Sequence, residues 1–238
     1  MNVIIPQKVS TQIGMQSGSG RKAYPVLYLL HGLSDDHSIW LRRSSVERYA
    51  AGHDVIVIMA DGDKSFYTDM AAGDRYFTFF AEELPQIAAS FFPVMPGREN
   101  CFAAGLSMGG YGALKLALRY PDRYAGCAAM SAVTDIGNFL REYSEKSYAK
   151  SYFGDSLQVP ADCDIFALAE KCASLAPEER PRILHYCGTE DFLYQDNLRL
   201  RDHVMKLGGF DYTWGEGPGE HSWSFWDEYI QKVLKEFF

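Results

Sequence analysis

A mostly parallel, doubly wound α/β sheet is the fold class that this 238-residue sequence predicts. Three observations carry that reading. Two short runs, residues 24–30 (YPVLYLL) and 54–60 (DVIVIMA), are continuously apolar; strands covered on both faces read this way, whereas strands with one wet face alternate. Segments of helical period lie between the apolar runs, and such alternation selects parallel strands joined by right-handed crossovers. The length suits one domain of this class around a single core, so the predicted unit is residues 1–238.

In chain order, NVIIP at residues 2–6 is read as a first strand and Gln16 to Gly20 (QSGSG) as a flexible turn leading to the strand at 24–30. After the strand at 54–60, Phe77, Phe80, Leu84, Ile87 and Phe91 recur at three- and four-residue steps, one face of a helix. Pro85 is expected to interrupt and kink it, because proline has no N–H for the preceding turn. A strand near 101–104, a helix over 108–120 and a strand near 124–130 follow. Residues 135–182 break the rhythm, being polar and rich in Ser and Tyr, and are read as a cap-like excursion over the sheet. Regular elements resume with a strand at 182–187, a helix around 193–207 and a strand at 210–214. The closing helix carries the stripe Trp223, Trp226, Ile230, Val233, Leu234 and Phe237.

Composition excludes several classes of function. Hydrophobic residues at 47% and charged residues at 23% describe an ordinary globular chain. The net charge is -8, with no Lys/Arg-rich run, so the electrostatic footprint of a nucleic-acid binder is missing. No apolar stretch reaches the roughly 20 residues needed to cross a bilayer, and residues 1–7 lack the basic and apolar regions of an export signal. No membrane association is expected. The five cysteines are odd in number and none lies in a metal-ligand spacing; the simplest reading is small buried hydrophobes in a reducing cytoplasm.

The chemistry is concentrated in a few motifs. Gly105-Leu106-Ser107-Met108-Gly109 matches G-x-S-x-G, the nucleophile elbow of the α/β-hydrolase fold, in which a sharp strand-to-helix turn lifts the serine hydroxyl above the sheet. The bare pattern arises by chance roughly 0.1 times in a chain of this length. Here an apolar strand ends just before it and a helix-forming run starts just after it, with Gly110 and Gly112 expected to let that helix approach the sheet. A serine hydroxyl needs an adjacent base, itself held in one tautomer by an acid. The chain order in this fold is Ser, then Asp or Glu, then His. His221 follows the last predicted strand, while His203 falls inside a helix and His185 inside a strand. For the acid, Asp191 follows the strand ending at Cys187 by a short turn; Glu190 and Asp196 are its competitors, and position favours Asp191. His31-Gly32-Leu33 resembles the motif that opens the oxyanion hole, which would put the backbone N–H groups of Leu33 and Met108 on the developing oxyanion. Removing one such donor costs about 2.7 to 4 kcal/mol of barrier lowering. Trp40, Phe66, Tyr67 and Trp223 are candidates either for pocket walls or for ordinary core. No phosphate loop or metal-ligand cluster is present in the sequence, so no cofactor and no metal are expected.

Taken together, YPVLYLLHGLSDDHSIW at 24–40, SFYTD at 65–69, EELPQ at 82–86, GLSMGGYGALKLAL at 105–118, CGTEDFLY at 187–194 and GEHSWSFW at 219–226 resemble the tributyrin-esterase group of the esterase D and S-formylglutathione hydrolase-like superfamily. The resemblance spans nearly the whole chain. It implies a serine carboxylesterase acting on short-chain acyl esters of small molecules, with Ser107, Asp191 and His221 at the triad positions and Leu33 and Met108 at the oxyanion hole. It also puts Trp40 and Tyr67 on loops at the site, and it allows a homo-oligomer. Members of the group usually carry a further strand before the segment matched by residues 2–6, so the first sheet edge is expected to be built differently here. The excursion at 135–182 is the group's most variable part and is expected to shape the substrate pocket. Two alternatives keep the fold: a feruloyl, acetyl-xylan or S-formylglutathione-type esterase with the same triad, and a non-catalytic binding protein on a hydrolase scaffold.

Overall fold

A computed structural model of the chain describes residues 1–7, 18–143 and 146–238. Of the predicted turn, Gln16 and Ser17 lie outside the described residues; Gly18 returns its N–H to Gln7 O at 2.9 Å. The elements in order are β1 (Asn2–Ile4), β2 (Val26–Leu30), α1 (Ile39–Arg43), α2 (Val46–Ala50), β3 (Ile56–Met59), α3 (Tyr76–Thr78), a π-helical turn (Phe79–Glu83), α4 (Leu84–Phe91), β4 (Cys101–Leu106) and α5 (Met108–Arg119). The chain continues through β5 (Gly126–Met130), α6 (Ile136–Tyr143), α7 (Lys146–Phe153), α8 (Ile165–Ala173), β6 (Arg182–Gly188), α9 (Tyr194–Leu207), β7 (Tyr212–Gly217) and α10 (Trp223–Phe237). The sheet order is β1-β3-β2-β4-β5-β6-β7. All pairings are parallel except β1 against β3, where Asn2 faces Met59. This is the predicted α/β-hydrolase sheet, with a short antiparallel edge at its first strand.

The continuous apolar runs have a direct physical cause. In β2, Val26, Tyr28 and Leu30 enter the core formed with α4, α5, α8 and α9. Leu27 and Leu29 enter the opposite core, formed with α1, α2 and α10. Successive strand residues point to opposite faces, and since helices cover both, every position is apolar.

Two elements differ from expectation. Around Pro85 the helix does not break. The turn before it widens, with Leu84 N–H reaching back to Phe79 O, so Pro85 enters as the second residue of a new α-helical segment, where a missing N–H costs little. The Ala81 carbonyl, which would have paired with residue 85, instead accepts from Arg123 Nη1 at 2.9 Å. The last strand runs to Gly217 rather than ending at Trp214. A Cβ on Gly215 would stand 2.7 Å from the Tyr186 ring; the strand continues through this glycine because a neighbouring aromatic fills its side-chain space.

Among the described residues, the segment 135–182 holds three α-helices that divide in role. Along α8, Ile165, Leu168, Ala169 and Cys172 enter the same core as α5. α7 is tied to the loop after β3, where Tyr148 Oη and Tyr152 Oη both donate to Lys64 O. α6 and α7 thereby stand beside the carboxyl edge of the strands. All five cysteines are free thiols and four are buried. Among the described residues no helix is long and apolar enough to cross a membrane.

Candidate active site

The crossover from β3 to β4 passes over β2, so the chain reverses winding direction between β2 and β4, where open α/β sheets bind ligands. Ser107 sits at the carboxyl end of β4 with φ 53° and ψ -117°. For a residue with a Cβ this is a strained conformation, and packing on both sides holds it. A Cβ on Gly109 would lie 2.5 Å from Leu30 O, and one on Gly105 would lie 2.4 Å from the Gly109 backbone. The close approach of α5 to the sheet is therefore made first by the two glycines of the elbow. Gly110 and Gly112 add to it as expected, since a Cβ on Gly110 would lie 2.9 Å from Ala132 and 3.3 Å from Gly105 O, and one on Gly112 would lie 2.5 Å from the Tyr67 ring and 2.9 Å from the Leu30 side chain.

His221 lies on the loop between β7 and α10, with its Nε2 3.0 Å from Ser107 Oγ. Its Nδ1 lies 2.9 Å from Asp191 Oδ2 and 3.1 Å from Oδ1. A carboxylate only accepts, so the ring proton sits on Nδ1 and Nε2 presents its lone pair to the serine hydroxyl. Asp191 is 5% exposed, and its Oδ1 also accepts from Leu193 N–H at 2.8 Å. Trp226 packs edge-on against the imidazole at 4.9 Å and Phe192 covers it at 4.7 Å, so the ring is held from several sides. The competing carboxylates are engaged elsewhere. Glu190 accepts from Gly219 N–H and Thr189 Oγ1, tying the acid loop to the histidine loop. Asp196 pairs with Arg199 at 2.9 Å, and burial raises its pKa.

His31 explains the geometry of the loop after β2. An amide can only donate, so His31 Nε2 must accept from Gly62 N–H at 2.8 Å. The ring proton is then on Nδ1 and is donated to Gly32 O, also at 2.8 Å. No peptide bond among the described residues is cis, so fixing the Gly32 carbonyl toward His31 turns the Leu33 N–H the opposite way. Gly32 and Leu33 line the same cavity as Ser107. Met108 opens α5, where the first N–H groups have no intrahelical acceptor and the helix dipole adds positive potential. The arrangement can take a proton from a hydroxyl and offer backbone donors to an oxyanion beside it.

The cavity over Ser107 has a volume of about 910 Å³. Trp223 lines it, together with Phe139, Tyr143, Phe192, Lys64 and Asp35. Trp40 and Tyr67 do not, which corrects their assignment as substrate-binding residues. Both are buried beneath the site, as is Phe66. Trp40 Nε1 donates to Leu30 O and Tyr67 Oη to His31 O, each at 3.0 Å. They satisfy the two carbonyls that precede the oxyanion loop and so fix where that loop starts. Sequence reasoning missed the wall residues Phe139, Tyr143 and Phe192. Phe192 carried one usable signal, an apolar residue next to the candidate acid; it is 53% exposed and packs at a tilt against the Tyr143 ring.

Fold and site define an α/β-hydrolase with a serine, histidine and aspartate in one hydrogen-bonded line. The family model described as "Putative esterase" matches residues 5–237, and the chain belongs to this esterase family. It is 35% identical to the acetyl esterase of Caldicellulosiruptor saccharolyticus over 220 residues, covering 88% of this chain and 81% of that protein. Among solved structures it is similar to the Staphylococcus aureus fluorophosphonate-binding serine hydrolase FphF, with a TM-score of 0.86, 33% identity and coverage of 99% of this chain and 90% of that one. It is likewise similar to the S-formylglutathione hydrolase FrmB of Staphylococcus aureus, with a TM-score of 0.82, 34% identity and coverage of 99% and 91%. The chain is a carboxylic ester hydrolase of the serine-esterase kind.

Proposed function

We propose that this esterase hydrolyses short-chain acyl esters of small molecules through an acyl-enzyme on Ser107, with no cofactor. The observation that carries the reading is the line Ser107 Oγ to His221 Nε2 at 3.0 Å and His221 Nδ1 to Asp191 Oδ2 at 2.9 Å. In it, His221 Nε2 takes the Ser107 proton as Oγ attacks the ester carbonyl, and Asp191 stabilises the imidazolium. The N–H groups of Leu33 and Met108 receive the oxyanion. Collapse breaks the carbon–oxygen bond to the alcohol, which leaves with the proton from His221. Water, deprotonated by the same nitrogen, then releases the acid and restores the serine. The similarity to an acetyl esterase supports a short acyl group. The similarity to FrmB favours a second reading, a glutathione thioester processed by the same steps. Residues 1–238 are read as one domain with 135–182 as its cap-like part, and the free buried thiols suit a reducing cytoplasm.

A series of soluble nitrophenyl esters from acetate to dodecanoate, with S-formylglutathione alongside, tests this. We expect kcat/KM to be highest between acetate and hexanoate and to fall by about tenfold or more for the longest chains, a direction supported by the similarity to an acetyl esterase, since methylenes left outside the cavity contribute no burial. Faster turnover of long-chain emulsions than of soluble short esters would contradict the short-chain reading.

A further inference from the structure

Behind the site, outside the cavity wall, a fully buried asparagine on α9 joins the loop after β5, which packs against the nucleophile elbow, to the loop that carries the acid. Asn197 uses its complete hydrogen-bonding capacity. Its Nδ2 donates to Ala132 O at 2.9 Å and to Leu193 O at 2.8 Å. Its Oδ1 accepts from Ala132 N–H at 3.2 Å and from His185 Nε2 at 2.7 Å. The last bond requires the His185 proton on Nε2, which leaves Nδ1 to accept from Tyr212 Oη at 2.8 Å. Burial pulls the His185 pKa down to about 4, so the ring is neutral and this pattern is fixed through the working range.

The two loops that Asn197 grips lead to different members of the catalytic line. Val133, next to Ala132, donates its N–H to Ser107 O at 3.2 Å, and a Cβ on Gly110 would meet Ala132 at 2.9 Å, so the Ala132 segment lies against the elbow. Leu193 donates its N–H to Asp191 Oδ1 at 2.8 Å. We propose that Asn197 is a positioning residue for the hydrolysis, a brace that sets Asp191 relative to the Ser107 elbow by holding Leu193 and Ala132 together. The inference rests on the reading of Asp191 as the acid. Asn197 reaches the catalytic line only through the backbone of Ala132 and Leu193, is itself held by His185, and makes no bond to His221.

A double-mutant cycle tests this, with kcat and KM taken per folded molecule and the folded fraction read by circular dichroism. Asn197→Ala is expected to lower kcat about 10- to 100-fold, the scale of a sub-ångström to ångström misplacement of a catalytic group, with little change in KM. In an Asp191→Asn background the same substitution should cost less than about threefold, because the group it positions is already disabled. If Asn197→Ala is too poorly folded to assay, Asn197→Asp replaces it: the carboxylate keeps both acceptor bonds and loses both donors, and the same pattern is expected. An Asn197 variant within about threefold of the parent, or one that loses the same factor in both backgrounds as mere loosening would give, overturns the brace while leaving the triad reading in place. Parental kcat in Asp191→Asn alone overturns the reading of the acid, and the brace with it.

Discussion

Replacing Ser107 with alanine is expected to lower kcat for a soluble butyrate ester by about a million-fold, the scale seen when a triad nucleophile is removed. The residue is 8% exposed and its hydroxyl contacts only the His221 nitrogen among the side chains of the catalytic line. Alanine keeps the Cβ, so the positive φ of the elbow is no more strained than before. The melting temperature should therefore stay close to that of the parent while activity disappears. Calorimetry beside the rate measurement separates loss of the nucleophile from loss of the fold. Comparable activity in the variant would place the nucleophile elsewhere.

The second large effect concerns Asp191. An asparagine there can still accept from Leu193 N–H through its carbonyl oxygen, which leaves its amide nitrogen facing His221 Nδ1. An amide nitrogen only donates, so His221 Nδ1 must become the acceptor and the ring proton moves to Nε2. Nε2 then has no lone pair for the Ser107 proton. We expect kcat to fall by about 10⁴-fold, as when the orienting acid of a triad is made an amide, with little change in KM or melting temperature. Glu190→Gln retains an oxygen for Gly219 N–H, and Asp196→Asn, at a half-buried position outside the catalytic line, loses a pair with the exposed Arg199. Both should remain within about tenfold of the parent, because neither carboxylate bonds His221 or Ser107 and a pair with a solvent-exposed partner contributes little. If Glu190→Gln or Asp196→Asn is the crippled variant while Asp191→Asn works normally, the acid has been assigned to the wrong carboxylate.

What the sequence made legible is what depends on short-range rules. The elbow can be read because its tight turn requires glycine at 105 and 109, where any Cβ would strike backbone. The partners of Ser107 can be read because loop positions at the carboxyl edge follow from strand order, and Asp191 and His221 are brought to hydrogen-bonding distance from strands β6 and β7. Apolar strands declared their double coverage. The remainder depends on contacts between distant segments. Trp40 and Tyr67 sit in motifs next to the site, but nothing local says whether an aromatic ring turns into the cavity or beneath it; their polar tips found the Leu30 and His31 carbonyls. Pro85 read as a kink because the rescue of the Ala81 carbonyl comes from Arg123, far along the chain. Asn197 was invisible in a polar helix, since three of its four side-chain bonds reach Ala132 and His185, which only the sheet order brings to it, and the fourth is a bond to Leu193 O at the start of its own helix.

The central claim is that Ser107 is the activated nucleophile. It is tested most directly by treating the folded protein with a fluorophosphonate probe and mapping the adduct by mass spectrometry. Only a serine whose proton can be taken as it attacks phosphorus reacts readily with such a probe. The account predicts one adduct per chain, on the peptide containing Ser107, and none in Ser107→Ala under the same exposure. Its rate should drop sharply in Asp191→Asn. A protein that turns over esters yet carries the probe on another residue, or stays unlabelled, would contradict it.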